Sequence, residues 1–121
     1  MKGRPVIDLS LLGIVVHPAS EWPARSVSYG GRRITCAPGA ELHTTQAFVD
    51  DQLVEQKRRE ILAGDEPAVS LVEHDGLYWV FDGHHRLAAY RILRRACPCF
   101  LHTTPGSEPI RPPLLARGRS R

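Results

Sequence analysis

The sequence contains no apolar run long enough to cross a membrane, and its start lacks the pattern of a secretory signal peptide. The first apolar stretch after Met1 is brief and is interrupted by Asp8. From these two absences we expect neither a membrane-spanning helix nor a cleaved leader. We therefore expect a soluble, cytoplasmic protein that has no membrane partner.

Cysteine is also scarce, and three cysteines, an odd number, do not suit a framework of disulfide bonds. We expect the chain to work in a reducing compartment. With 121 residues, of which 42% are hydrophobic, it can bury one modest core. We predict a single domain over residues 1–104 and a disordered tail over residues 105–121, where proline and arginine are frequent and apolar side chains are few.

Glycine and proline are absent from residues 84–95, although a glycine stands immediately before them. The apolar run Leu77–Phe81 predicts a buried strand, Asp82-Gly83 breaks it, and the alanine, leucine and arginine that follow favour a helix. The first turn of a helix has unpaired N–H groups and the positive end of the helix dipole, so it attracts anions. That turn carries His84, His85 and Arg86. The stretch therefore predicts a site for phosphate or another oxyanion.

The residues Phe81-Asp82-Gly83-His84-His85-Arg86-Leu87-Ala88-Ala89 resemble the motif of the ParB/sulfiredoxin superfamily. The resemblance covers about residues 42–102, where a polar helix ending in Gly64, two strands joined by a tight turn, the motif and a last short strand follow in the order of a ParB N-terminal domain. It implies a small α/β (α+β) domain with a mixed sheet, in which strand, glycine turn and helix form a phosphate site.

The superfamily includes CTP-binding partition proteins, nucleases, sulfiredoxin and a free-serine kinase. The resemblance therefore implies a ParB-like domain that binds a nucleoside triphosphate with Mg²⁺ and hydrolyses nucleotide or nucleic-acid phosphodiesters in a plasmid, phage or other DNA-associated context. A non-catalytic module that binds nucleic acid or protein is the alternative, and a small-molecule kinase is the third. The expected partners are a nucleotide, DNA or RNA, and a second copy of the chain.

Two features separate this chain from members of that superfamily. Sulfiredoxin uses a cysteine nucleophile where this sequence has His84, which disfavours sulfiredoxin chemistry. A complete partition protein continues into a helix-turn-helix, a dimerisation domain and a second nucleotide motif, which this sequence does not contain. We therefore do not expect sequence-specific centromere binding by this chain alone.

Candidate site residues lie in the motif and, as the resemblance implies, in the segment before the second predicted helix. Asp82 and His84 are the predicted catalytic residues, and Asp82 is also the predicted Mg²⁺ ligand. The predicted nucleotide- and phosphate-binding residues are Gly83, His84, His85, Arg86, Thr44, Thr45 and Gln46. A further acid in the pocket, such as Glu73 or Glu41, would favour an enzyme over a binding module.

Each of these residues also has a structural alternative. Asp82 could cap the helix, and the segment at residues 44–46 could do the same for the helix that follows it. His85 projects toward the buried side and could fix the turn by a hydrogen bond, while His84 reaches the ligand. Arg86 could form a salt bridge with Asp82 or Glu73 instead of binding phosphate.

Arginines dominate one side of the motif helix and the end of the chain. A projection at 100° per residue places Arg91, Arg94 and Arg95 opposite the apolar side. Together with Arg117 and Arg119 of the tail they are the predicted nucleic-acid contacts, with a merely solubilising basic surface as the alternative.

Three further predictions concern the rest of the chain. The segment from Ser26 to Cys36 predicts an additional N-terminal hairpin with Gly30-Gly31 at its turn. A helix is predicted from Val49 to Ala63, with Gly64 in the left-handed conformation after it. A zinc site is a disfavoured alternative, because the alternating residues around Pro98 fit an edge strand; it would use Cys97, Cys99 and His102 with Cys36 and His43.

Overall fold

The computed structural model describes residues 5–23 and 27–104, with the backbone alone at residues 28–30. The strands in these ranges are β1 (Val6–Asp8), β2 (Val15–Val16), β3 (Ser28–Cys36), β4 (His43–Thr44), β5 (Phe48–Asp50), β6 (Val69–His74), β7 (Leu77–Asp82) and β8 (Cys97–Thr103). The α-helices are α1 (Asp51–Leu62) and α2 (His84–Leu93), and 3₁₀ turns lie at Leu9–Leu12 and Ala19–Glu21. The chain is thus a mixed α/β domain, as its sequence predicts.

Six strands form one mixed sheet in the order β2-β4-β7-β6-β8-β3, and β1 pairs with β5 in a separate two-stranded sheet. The pairs β2–β4, β4–β7 and β6–β8 are parallel, whereas β6–β7 and β8–β3 are antiparallel. Strands β1 and β2 both lie in short apolar stretches near the start of the chain. They do not pair with each other, because β1 joins β5 while β2 joins the edge at β4.

The core lies between one face of the large sheet and the two helices. Because side chains alternate along a strand, Leu71, Val80 and Leu101 point toward the helices, and Trp79 and His102 point to the opposite face. Helix α1 buries Val54 and Ile61 against this core. Helix α2 buries the run Leu87–Tyr90. The face of the sheet that does not contact the helices is called the back face below.

Helix α1 begins two residues after the predicted start, because residues 48–50 extend into strand β5. Asp50 is its N-cap, and the carboxylate accepts hydrogen bonds from the N–H groups of Gln52 and Leu53. Gly64 follows the helix with φ +107°, so the predicted left-handed glycine is confirmed. On the surface of the helix, Glu55 and Arg59 form an i,i+4 ion pair at 3.6 Å.

The predicted hairpin at residues 26–36 is wrong. Residues 28–36 form one continuous strand, β3, which pairs with β8 along its length, and Ser26 itself lies outside the described residues. Gly30-Gly31 sits at a shift of register between Ser28 and Arg32 rather than at a turn. A Cβ on Gly31 would lie 2.1 Å from the carbonyl oxygen of Leu101, so glycine is needed here for close approach of two backbones.

Neither helix in the described ranges is long and apolar enough to span a membrane. The predicted tail at residues 105–121, with Arg117 and Arg119, lies outside the described residues.

Candidate functional site

The start of α2 is open toward solvent. Gly83 is its N-cap residue in the left-handed conformation, with φ +97°, and no side chain of the described residues caps the helix. The alternative role of Asp82 as a helix cap is therefore wrong. A Cβ on Gly83 would lie 3.3 Å from Cα of Val69, so both the backbone angle and the space at this turn favour glycine. The N–H groups of the first turn are consequently exposed to an incoming acceptor.

A polar pocket of about 260 Å³ lies at this helix start. Five of its lining residues are the consecutive run Asp82–Arg86, and the others are Gln46 and Lys57. The run of the motif and the segment before α1 therefore meet at one place, although they are about 40 residues apart in sequence.

Lys57 was not a predicted site residue. It lies on α1, and its ammonium group is 3.3 Å from the carboxylate of Glu60. Nothing in the sequence distinguishes Lys57 from its neighbours Arg58 and Arg59. Only the packing of α1 beside α2 brings this lysine to the pocket, so the second cation of the site is contributed by tertiary structure.

His84 is held by a hydrogen bond from strand β4. Its Nε2 is 2.7 Å from the hydroxyl oxygen of Thr44, which also accepts a hydrogen bond from the N–H of Gln46. Burial lowers the pKa of His84, while the nearby Asp82 opposes that shift. The ring is therefore neutral near pH 7. When the Thr44 hydroxyl donates to Nε2, the remaining proton of the ring is on Nδ1.

His85 makes a different contact from its neighbour. Its Nε2 accepts a hydrogen bond from the backbone N–H of Asp50 at 3.2 Å, which it can do only when that nitrogen carries no proton. Asp50 is the N-cap of α1, so His85 joins the starts of the two helices. The alternative in which His85 fixes the local structure by a hydrogen bond agrees with this geometry, although the residue also lines the pocket.

Arg86 anchors the loop that precedes β6. Its Nη1 donates to the carbonyl oxygen of Ala68 at 3.0 Å. Within the described residues it forms no salt bridge with Asp82 or Glu73, so that alternative is not what the structure contains. A guanidinium held at one end and facing the pocket is well oriented to meet an oxyanion.

The three residues predicted from the segment before α1 divide into three cases. Gln46 lines the pocket, and its side-chain amide donates to the carbonyl oxygen of Phe48. Thr44 is fully buried and acts on the site only through His84. Thr45 is half-buried and is not among the residues that line the pocket.

The three helix arginines also differ from one another. Arg91 points inward and donates to the carbonyl oxygens of Leu12 and Ala40, so its predicted exposure beside Arg94 and Arg95 is wrong. The cause is that the 3₁₀ turn at residues 9–12 packs on that side of α2 and provides backbone acceptors. Arg94 and Arg95 are exposed at the far end of the helix from the pocket.

The acids that would favour an enzyme lie elsewhere. Glu73 sits at the opposite end of the β6–β7 pair from Asp82, opposite Tyr78, and burial raises the pKa of its carboxyl group. Glu41 contacts His43, whose ring packs against Trp79 on the back face. Asp82 is therefore the one acid among the residues that line the pocket.

The donor atoms present decide which metal ions the described residues could hold. No group of three or more His, Cys, Asp or Glu side chains within residues 5–23 and 27–104 is placed to hold a metal ion. A single carboxylate, Asp82, fits a Mg²⁺ ion that is bound mainly by phosphate oxygens, and it does not form a resident Mg²⁺ site by itself. Strand alternation puts Cys97 and Cys99 in the core and His102 on the back face, so the structure does not bring all five residues of the zinc alternative to one place.

A larger cavity of about 330 Å³ lies at the other end of α2. Its lining includes Asp65, Glu66, Arg95 and Tyr90. The Tyr90 hydroxyl donates to the carbonyl oxygen of Pro67, and burial is the main cause that raises the pKa of Tyr90 to about 12. This cavity combines two acids with the negative end of a helix dipole, so it does not suit an anion.

Comparisons of the chain with protein-family models, with curated proteins and with solved structures find no match.

Proposed function

We propose that this protein binds the phosphate groups of a nucleoside triphosphate at the start of α2. The observation that supports this best is the pocket in which an uncapped helix start is lined by Arg86 and Lys57. Backbone N–H groups, the positive end of the helix dipole and two cationic side chains all favour negative charge at the same place. The motif's resemblance to the ParB/sulfiredoxin superfamily supports the same ligand.

The side chains divide the binding among themselves. Arg86 is oriented by the Ala68 carbonyl oxygen and presents a planar fork suited to two phosphate oxygens. Lys57 adds a point charge from α1. A neutral His84 with its proton on Nδ1 donates one hydrogen bond without adding charge.

The size of the pocket determines which part of the ligand it can hold. Sites that enclose whole drug-sized ligands have volumes of about 300–1,000 Å³, whereas this pocket measures about 260 Å³. It accommodates phosphate groups, and the ribose and base extend beyond it. When Mg²⁺ accompanies the triphosphate, it neutralises phosphate charge, and Asp82 is the carboxylate available to it.

Hydrolysis is the second candidate, and one observation favours it. In the other tautomer of the neutral His84 ring, Nε2 donates to the Thr44 hydroxyl, and the unprotonated Nδ1 near Asp82 can accept a proton from an attacking water. Because the pocket holds no further acid, binding is better supported than catalysis. Cleavage of nucleic acid, phosphotransfer to a small molecule, a nucleic-acid partner and a homodimer remain proposals with less support.

Isothermal titration with ATP, CTP and GTP, each with and without Mg²⁺, tests the proposal on the full-length protein. We expect at least one triphosphate to bind, and Arg86→Ala to weaken that binding. The control is Arg59→Ala, which removes an exposed cation from α1 that does not line the pocket. If no triphosphate binds, or if Arg59→Ala weakens binding as much as Arg86→Ala does, the pocket is not the site.

A further inference from the structure

Four side chains on the back face form a continuous row of hydrogen bonds. Nδ1 of His17 is 2.9 Å from Oε1 of Glu21, Nε2 of His17 is 2.8 Å from Nδ1 of His43, and Nε2 of His43 is 2.8 Å from Oε2 of Glu41. We call the row Glu21–His17–His43–Glu41 the histidine clasp. None of its four residues lines the phosphate pocket.

The clasp needs one proton more than its groups carry when the histidines are neutral. Each of its three contacts joins two atoms with lone pairs, so each contact requires one proton. Two neutral imidazoles and two carboxylates supply only two protons. When all three contacts are hydrogen bonds, a third proton is present, and it gives the pair of rings one positive charge between the two carboxylates.

The relative position of the two imidazole rings favours a proton over a metal ion between Nε2 of His17 and Nδ1 of His43. The ring centroids are 5.1 Å apart while the facing nitrogens are 2.8 Å apart. The difference is about the sum of the two distances from centroid to nitrogen, so the nitrogens point straight at each other. Two histidine nitrogens that bind the same metal ion both point at the ion, which lies to one side of the line joining them when the ion has further ligands. A proton shared by two nitrogens lies on the line that joins them.

The residues around the clasp link the charge of the two histidines to the packing of the back face. His43 is 7% exposed and His17 21%, while both carboxylates are 55% exposed. The rings pack on Trp79 of β7, at centroid distances of 4.5 Å for His17 and 5.5 Å for His43. Trp22, one residue after Glu21, packs edge-on against Trp79 at 6.1 Å. Among the described residues, the charged groups that contact the pair are Glu21 and Glu41, and β7 presents the uncharged Trp79.

We propose that His17 and His43 share one proton, and that this proton clasps residues 17–22, with Trp22, to the back face of the sheet. At low pH the proton is present and all three contacts of the clasp form. As the pH rises the shared proton dissociates, and one of the three contacts is left with two lone pairs that face and repel each other. Residues 17–22 then separate from Trp79. The clasp is thus a pH-sensitive latch over the aromatic residues of the back face.

Tryptophan fluorescence measures this latch directly, because the two tryptophans of the sequence are Trp22 and Trp79. In a pH titration of the full-length protein we expect one reversible transition, with emission at longer wavelength on the high-pH side. Glu21→Gln and Glu41→Gln change exposed side chains, so the fold is retained, and each should move the midpoint to lower pH because a carboxylate that stabilises the shared proton is gone. His43→Gln should abolish the transition.

The matched control is His74→Gln, which alters the last residue of β6, a histidine that contacts Asp75 rather than the clasp. It should leave the midpoint unchanged. In protein labelled with ¹⁵N at histidine, a coupling between Nε2 of His17 and Nδ1 of His43 across the hydrogen bond should be present below the midpoint and absent above it. A titration without a transition, a midpoint unmoved by both glutamate variants, or absence of the coupling at low pH would each overturn the proposal.

Discussion

The two ends of α2 differ in how their backbone groups are satisfied. At the C-terminal end the chain closes the helix itself, because the N–H groups of Arg94 and Arg95 donate to the carbonyl oxygens of Arg91 and Tyr90. At the N-terminal end Gly83 contributes no side chain, and no other described residue caps the first turn. A helix end that is left open and surrounded by cations is arranged for an external anion, whereas a closed end is arranged for stability.

The largest expected effect at the open end comes from Arg86→Ala. We expect binding of a nucleoside triphosphate to weaken by about 1.5–3 kcal/mol, the scale of a hydrogen bond to a charged group. Since Arg86 also anchors Ala68, urea unfolding should accompany the titration calorimetry. An unchanged dissociation constant would mean that the open end does not bind the ligand.

Gly83→Ala should destabilise the fold by about 1–2 kcal/mol, the cost of the left-handed conformation for a residue with a Cβ. Gly64→Ala is the matched control, because Gly64 also has positive φ but no atom lies within 4 Å of its added Cβ. Both variants should lose stability in urea unfolding, and only Gly83→Ala should also lose ligand affinity. Equal ligand affinity in the two variants would show that the turn at Gly83 does not take part in ligand binding.

Lys57→Ala should weaken binding by about 1 kcal/mol or less, because a flexible and partly exposed ammonium group contributes less than an anchored guanidinium. Its contribution should also fall as salt rises, since exposed charges are screened. Titrations of Lys57→Ala and Arg59→Ala at two salt concentrations test this. An Arg59→Ala loss as large as that of Lys57→Ala would indicate a general charge effect.

The protonation of His84 gives a smaller effect with a defined sign. Because burial lowers its pKa in the folded state, the unfolded chain binds more protons than the folded one just below the ordinary histidine pKa of about 6.5. The contribution of His84 to stability is therefore complete above that pH and is lost as the pH falls. Urea unfolding across this range should show a shallower pH dependence for His84→Gln than for wild type, and identical slopes would contradict the buried, neutral ring.

The closed end of α2 provides the smallest expected effect on nucleotide binding. Arg94→Ala with Arg95→Ala should leave the nucleotide dissociation constant unchanged, since both residues lie at the end away from the pocket. If duplex DNA binds there, the slope of log K against log salt should fall by about 0.9 for each DNA phosphate that the variant no longer neutralises. Nucleotide binding that weakens in this variant would break the distinction between the two ends.

Local patterns predicted the centre of the fold well. The strand before Asp82, the turn at Gly83 and the helix after it depend on residues that are adjacent in sequence, and β7, Gly83 and α2 are where the pattern places them. The same local reasoning failed at Gly30-Gly31. A pair of glycines fits both a tight turn and a close backbone approach, and only the position of Leu101 in the neighbouring strand decides between them.

The sequence by itself determined the order of the main elements, but it did not determine which way several key side chains point. The order of the elements from α1 to β8, the break at Gly83 and the cationic start of α2 follow from propensity and periodicity over short stretches. Lys57 in the pocket, Arg91 turned inward and the shared contact of His17 with His43 were decided only by tertiary structure. The physical reason is that each depends on an element distant in sequence, whose position no local pattern records.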